Sequence, residues 1–237
     1  MTPKVYLMDT AGKDQKGRGL AEGFEMLCSS LSWGRQDKIR QFRFPQGKLL
    51  SLGAGLLLDY GLRQYGLREK DVAVAFKENG KPYLPDYPEI CFNLSHSGTM
   101  AMASFAGREV GCDIEQVGDP DFRVARRFFA PGEKEALNRI PGPKGRAECF
   151  YRFWTLKESF LKVTGQGVRM PLDGFCIHMG PPVQVEVEGA FLDYGFWEFA
   201  LPGYRASLCI RGAGGQGRLS PVWDVVTLSA IESRLDD

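Results

Sequence analysis

The chain has few of the features that mark redox, zinc and nucleotide motifs. Its six cysteines include no CxxC pair, and each stands among apolar or aromatic neighbours. They read as small core residues in a reducing compartment, not as a zinc site or a disulfide frame. No GxxxxGK[ST] loop and no GxSxG elbow occurs, which excludes a Walker-A nucleotide site and an α/β-hydrolase nucleophile. "GAGGQG" (212–217) matches GxGxxG, but Pro221 follows soon and no helix opens there, so it reads as a loop. The start "MTPKVYLMDTAGKD" reaches charge too early for a signal peptide. The most apolar run, "LLSLGAGLLL" (49–58), is about half of what a membrane span needs. A net charge of +1 excludes broad nucleic-acid binding and leaves room for a small basic pocket. The expected setting is cytoplasmic, with no membrane and no nucleic acid.

What is present suits a packed core: 237 residues, 43% hydrophobic and 25% charged. Period-two runs predict strands at "KVYLMD" (4–9), "DVAVAF" (71–76), "ICFNLSHS" and "MAMASFAG". "AGRE" (106–109) predicts a hairpin turn into "VGCDIEQV", and Asn79-Gly80 with Pro82 predicts another turn. Helices are predicted at "RQDKIRQF" and at "LLSLGAGLLLDYGLRQY", the latter weakened by Gly53 and Gly55. After two helical pieces broken at Pro131 and a "PGPKG" loop (141–145), "RAECFYRFWTLKESFLKVT" is the best helix. Strands follow at "GFCIHM", "VQVEVEG", "GFWEFAL", "YRASLCI" and "VWDVVTL". The sum is α+β, in two halves of similar size, 1–109 and 110–237.

On the long helix, Cys149, Phe153, Leu156, Phe160 and Val163 form an apolar stripe, with Glu148, Thr155, Glu158 and Lys162 opposite. Lys157 falls on the stripe's edge, where a lysine usually snorkels. Glu158 and Lys162 taken alone read as a surface i,i+4 pair. Asp113 and Glu115 share one strand face, which is costly without a cation between them. Glu158 would complete an all-oxygen set suited to Mg²⁺, and Lys162 would then meet a phosphate. Spacing alone favours a solvated edge. "FNLSHSG" (92–98) shifts the balance, because its hydroxyls, imidazole and backbone N–H groups suit a phosphate. Ser95 and His96 are adjacent on an extended segment and point apart, so they make a poor nucleophile–base pair. His178 alternates with apolar residues and reads as structural.

"NGKPYLP" (79–85), "FNLSHSG" (92–98), "VGCDIE" (110–115), "RRFFAPGEKEAL" (126–137) and "FWTLKESFLKVTGQG" (153–167), in this order, resemble the surfactin-type (Sfp-type) 4′-phosphopantetheinyl transferases. The resemblance implies a pseudo-dimer of two similar α+β halves with the active site in the cleft between them. It implies transfer of the phosphopantetheine arm of coenzyme A to a serine of an apo acyl or peptidyl carrier protein. Asp113, Glu115 and Glu158 would hold Mg²⁺, and Lys162 would contact the pyrophosphate. Gly80, Lys81 and Pro82 would sit by the adenine. Ser95, His96 and Lys38, with Arg35 and Ser51, would surround the 3′-phosphate. Glu158 is the candidate general base and Lys157 the alternative. Leu50 stands where many relatives carry Arg, with Lys48 a substitute cation, and Cys112 stands where a branched aliphatic is usual. Phe122, Arg126 and Phe128 offer apolar anchors with a basic rim to an acidic carrier, or an ordinary amphipathic helix. Two halves in one chain favour a monomer. The rival readings are an inactive coenzyme A or carrier-binding module and a Mg²⁺-dependent phosphohydrolase.

Overall fold

The computed structural model describes residues 1–14, 17–215 and 219–235, apart from the side chain of residue 168. Residues 216 and 217 of the glycine-rich stretch lie outside the described residues. The chain begins with β1 (Lys4–Asp9) and continues through α1 (Phe24–Ser29), α2 (Trp33–Gln41) and α3 (Pro45–Leu62). A short ribbon, β2 (Ala75–Phe76) and β3 (Pro82–Tyr83), precedes β4 (Cys91–Ser97), β5 (Met100–Ala106) and β6 (Val110–Gln116). Next come α4 (Phe122–Phe128), α5 (Pro131–Arg139) and the long α6 (Pro143–Thr164). The remainder is β7 (Cys176–Met179), β8 (Val183–Val187), β9 (Ala190–Phe191), β10 (Tyr194–Leu201), β11 (Tyr204–Arg211), β12 (Val222–Val225) and α7 (Leu228–Glu232).

Two sheets form the frame, in the orders β12-β1-β5-β4 and β10-β11-β6, and β7-β8-β9 form a smaller one. The fold is mixed α+β. One core lies between the first sheet and α3, around Leu27, Leu57, Phe92 and Phe105. A second lies under α6, around Phe129, Phe153, Phe160 and Val185. A third joins the two sheets, with Val5, Leu7 and Met102 packed on Ile114, Leu208 and Ile210. Cys112 is wholly buried in this third core, where a small apolar side chain fits. The final segment crosses back over the expected boundary at 109. β12 pairs in parallel with β1, and Val226, Leu228 and Ile231 complete the first core.

Several local expectations change for identifiable reasons. "DVAVAF" is strand only at its last two residues. Upstream, Glu69 is drawn onto Ser32 by bonds of 2.7 and 2.9 Å, while its N–H donates to Asp59 Oδ1 at 2.8 Å. That contact holds 69–71 as a 3₁₀ turn. The "PGPKG" loop is cut short because Pro143 takes the first turn of α6, where its fixed φ costs nothing. "AGRE" does not close a hairpin ladder, since β5 and β6 belong to different sheets. β6 instead bonds along one edge to β11 and along the other to side chains of β4. The N–H groups of Cys112, Ile114 and Gln116 donate to Asn93 Oδ1, Ser95 Oγ and Ser97 Oγ at 2.9, 3.4 and 3.2 Å. The alternation Asn-x-Ser-x-Ser thus satisfies every second amide of an edge that has no strand partner.

Gly111 sets how closely α6 lies on β6. A Cβ there would overlap the carbonyl of Ser159 and the amide of Val163, which are helix backbone and cannot move aside. Gly111→Ala is expected to cost about 1–3 kcal/mol by overpacking and to lower the melting temperature. An unchanged melting curve would show that the helix can lift freely.

Candidate active site

β4, β6 and α6 aim their polar side chains into a cavity of about 460 Å³ whose outer wall is α2 and α3. Arg35, Lys38 and Ser51 come from the outer wall, Ser95 and His96 from β4, Asp113 and Glu115 from β6, and Trp154, Glu158 and Lys162 from α6. The period of two on β6 turns Asp113 and Glu115 to one face, and Glu158 and Lys162 are one helical turn apart. A second cavity of about 780 Å³ adjoins it, with Glu158 and Lys162 lining both. Gly80, Lys81 and Pro82 form one wall of this larger space, and Leu161, Met170 and Leu172 form another.

The acids are closely held. Asp113 Oδ1 accepts from Lys162 Nζ at 2.6 Å and from Ser95 Oγ at 2.9 Å. Ser97 Oγ donates to Glu115 Oε2 at 2.5 Å. Each serine therefore does two things: it accepts a β6 amide and donates to the β6 carboxylate beside it. Burial pushes the Asp113 carboxyl above its ordinary range, against the pull of Lys162. Burial also raises Glu115, with Ser97 opposing and Asp113 adding to the rise. Burial and then the charge of Asp113 raise Glu158. Burial works against the Lys162 ammonium, but Asp113 outweighs it and its pKa is raised.

The opposite end of the cavity is cationic. Desolvation and then Arg35 depress Lys38. His96 is exposed at the rim, yet desolvation and the charges of Lys162 and Lys38 keep it below its usual pKa. Burial and the neighbouring positive charge both disfavour the charged forms of Lys38 and His96, and an anion bound there would relieve that cost.

A hard cation fits the acidic end by chemistry. The donors are all oxygens, and Asp113 Oδ2 is buried with no partner among the described residues. Among the described residues, no three histidine, cysteine, aspartate or glutamate side chains already converge as a ligand group. Here Lys162 supplies the positive charge beside Asp113.

Other expected residues fall elsewhere. Lys157, the alternative base, is wholly buried, with Nζ on Glu133 Oε1 at 2.6 Å and on the Phe175 carbonyl at 2.9 Å, and lines neither cavity. Phe122 packs half-buried on Phe150, with ring centroids 6.1 Å apart, and Arg146 lies over its ring. Phe128 lines the larger cavity beside Arg127, so of the expected docking residues Arg126 alone is exposed. Lys48 is not among the residues lining the smaller cavity, and Leu50 is buried. His178 is exposed and bonds Glu186 Oε2 at 2.7 Å. Sequence reasoning missed Asn93, Ser97 and Trp154. The period-two placement of Asn93, Ser95 and Ser97 was the available signal for the first two.

Arg35 and Lys38 line one end of the smaller cavity and Asp113 and Glu115 the other, with Lys162 paired to Asp113. The sequence pattern of the 4′-phosphopantetheinyl transferase superfamily (ACPS) matches residues 109–209. The 4′-phosphopantetheinyl transferase Sfp of Bacillus subtilis strain 168 is 31% identical over 78% of this chain and 84% of its own length. A 4′-phosphopantetheinyl transferase of Bacillus subtilis is 32% identical over 72% of this chain and 77% of its own. Among solved structures, the holo-[acyl-carrier-protein] synthase of Thermotoga maritima is 20% identical over 43% of this chain and 61% of its own, with a TM-score of 0.37. The chain belongs to the 4′-phosphopantetheinyl transferase superfamily.

Proposed function

We propose that this enzyme transfers the 4′-phosphopantetheine arm of coenzyme A to a serine hydroxyl of an apo carrier protein, in the cleft between two related α+β halves. Family membership supports the reaction. The observation that carries the site assignment is one cavity holding both the Arg35 and Lys38 cations with the His96 imidazole, and the buried, half-satisfied Asp113 carboxylate. Arg35, Lys38, Ser51 and His96 bind the 3′-phosphate, and the turn at Gly80–Pro82 borders the adenine. Asp113, Glu115 and Glu158 would hold Mg²⁺, which when bound supplies charge to the pyrophosphate. Lys162 faces both cavities and neutralises a pyrophosphate oxygen.

The serine oxygen forms a bond to the β-phosphorus, the bond from that phosphorus to the bridging oxygen breaks, and adenosine 3′,5′-bisphosphate leaves. The serine proton passes to Glu158, the acid that borders both cavities. Cavity residues from both halves support a working monomer. The six unpaired cysteines suit the cytoplasm. Among the described residues no helix is long and apolar enough to cross a membrane.

Incubation with coenzyme A, Mg²⁺ and an apo carrier tests the reading by mass spectrometry. A gain of about 340 Da on the carrier supports transfer. Binding without that gain indicates an inactive module, and phosphate release without a carrier indicates a phosphohydrolase. Lys38→Ala is expected to raise KM for coenzyme A about tenfold, the loss of one charge-assisted contact, with little change for dephospho-coenzyme A. An equal rise for both donors removes Lys38 from the phosphate pocket.

A further inference from the structure

One wall of the larger cavity is a ribbon too short to hold itself. β2 and β3 contribute two residues each, and an isolated hairpin of that size is not stable in water. Its turn is closed by Gly80 N–H donating to the Lys77 carbonyl at 2.8 Å and Lys77 N–H donating to the Lys81 carbonyl at 3.0 Å. Gly80 has φ 79°, the left-handed conformation that a three-residue hairpin loop requires. Lys77 and Lys81 therefore flank the base of the turn.

Both ammonium groups close on one carboxylate. Lys77 Nζ donates to Glu109 Oε1 at 2.6 Å and Lys81 Nζ to Glu109 Oε2 at 2.6 Å. Lys81 donates further to the carbonyls of Val110 at 3.1 Å and Val163 at 3.2 Å. Val163 is in the last turn of α6, where a cation is favoured. Asn79 at the tip packs so tightly on Gly165 that a Cβ there would collide with its amide.

We propose that Glu109 is a positioning residue that clamps the 77–81 turn onto the end of α6 and so fixes the wall that receives coenzyme A. This rests on the reading of the site given above. The Lys81 side chain is only 8% exposed, and three acceptors take its N–H groups. Its charge is spent on holding the wall, while Lys81 itself lines the cavity together with Gly80 and Pro82. Glu109 immediately precedes β6, so the clamp ties the ribbon to the strand that carries Asp113 and Glu115. When the clamp opens, the apparent dissociation constant rises by the inverse of the clamped fraction.

Calorimetric titration of coenzyme A and amide hydrogen exchange on the full chain test the clamp. Glu109→Gln is expected to weaken coenzyme A about tenfold if the clamped fraction falls to about a tenth. Exchange at residues 77–83 speeds up, and kcat at saturating coenzyme A stays within about twofold of wild type. Glu78→Gln, on the exposed tip of the same turn, changes none of these. Lys77→Met leaves the Lys81 bond in place and gives a smaller loss in the same direction, which keeps the test open if Glu109→Gln does not fold. Unchanged affinity and exchange in both variants overturn the proposal, as does a fall in kcat without a fall in affinity. A wild-type protein that binds coenzyme A and shows the clamp effect, yet leaves the carrier unmodified, sinks the transferase reading and keeps the clamp. Normal transfer by wild type with normal binding by the variants sinks the clamp alone.

Discussion

Asp113→Asn is expected to reduce transfer by at least about 10³-fold while the fold survives. The substitution keeps the shape of a side chain packed between Ser95 and Lys162 but removes its charge. An amide offers one neutral oxygen where the carboxylate offers two charged ones, and its NH₂ group would face the Lys162 ammonium or the cation site. The stability sign follows from the raised pKa. A carboxyl whose pKa rises on folding binds its proton more tightly in the native state, so its ionised form costs stability at pH values above the folded pKa. Removing the charge removes that cost at neutral pH, and leaving Lys162 without its anion offsets the gain. The melting temperature is therefore expected to stay within a few degrees of wild type, as for an active-site charge held at some expense to the fold. Turnover within about tenfold of wild type at saturating Mg²⁺ would remove Asp113 from the cation site.

Glu133→Ala is expected to have the largest effect on stability, about 3–5 kcal/mol. Glu133 and Lys157 have side chains with no exposure. One carboxylate serves α5, α6 and β7 together: Oε1 accepts from Lys157 Nζ at 2.6 Å and from Ile177 N–H at 2.7 Å, and Oε2 from Ala130 N–H at 2.8 Å. Its removal strands an ammonium and two amides in the second core. For a chain of this size the melting temperature should fall by roughly 6–20 °C. The pair also decides the question of the base. Glu133→Leu combined with Lys157→Met replaces the pair by apolar groups and should recover much of the stability. If Lys157 is structural, the double variant keeps transfer within about tenfold of wild type. A folded double variant that has lost transfer would return Lys157 to the list of bases.

Much of the acidic site was legible before the fold was known. Asp113 and Glu115 occupy alternate positions of a strand-forming run, and a period of two places them on one face wherever that strand goes. Glu158 and Lys162 share a helix face by the same local geometry. The wheel for α6 was less complete. It treated the side of Thr155 as a polar face, whereas Thr155 and Ser159 are buried against β6 and β11, with Ser207 Oγ donating to the Thr155 carbonyl at 2.7 Å. A helix enclosed on most sides has no solvent face for its pattern to report. Gly53 looked like a weakness in α3, yet a Cβ there would come within 2.6 Å of Thr10 Cγ2. The close approach of α3 to the end of β1 offsets the lower helix propensity.

Local pattern alone determined most of the longer runs that become strands and helices, the pairing of Asp113 with Glu115 on one face, and the polar alternation in β4, because each depends on backbone periodicities of a few residues. Only the tertiary structure decided that β6 leaves β5 to lie beside the side chains of β4, and that β12 returns to β1. It also decided that Lys157 closes on Glu133 while Glu158, its neighbour in sequence, opens into both cavities. Those outcomes depend on partners tens to hundreds of residues away, chosen by which buried charges and amides can be satisfied together.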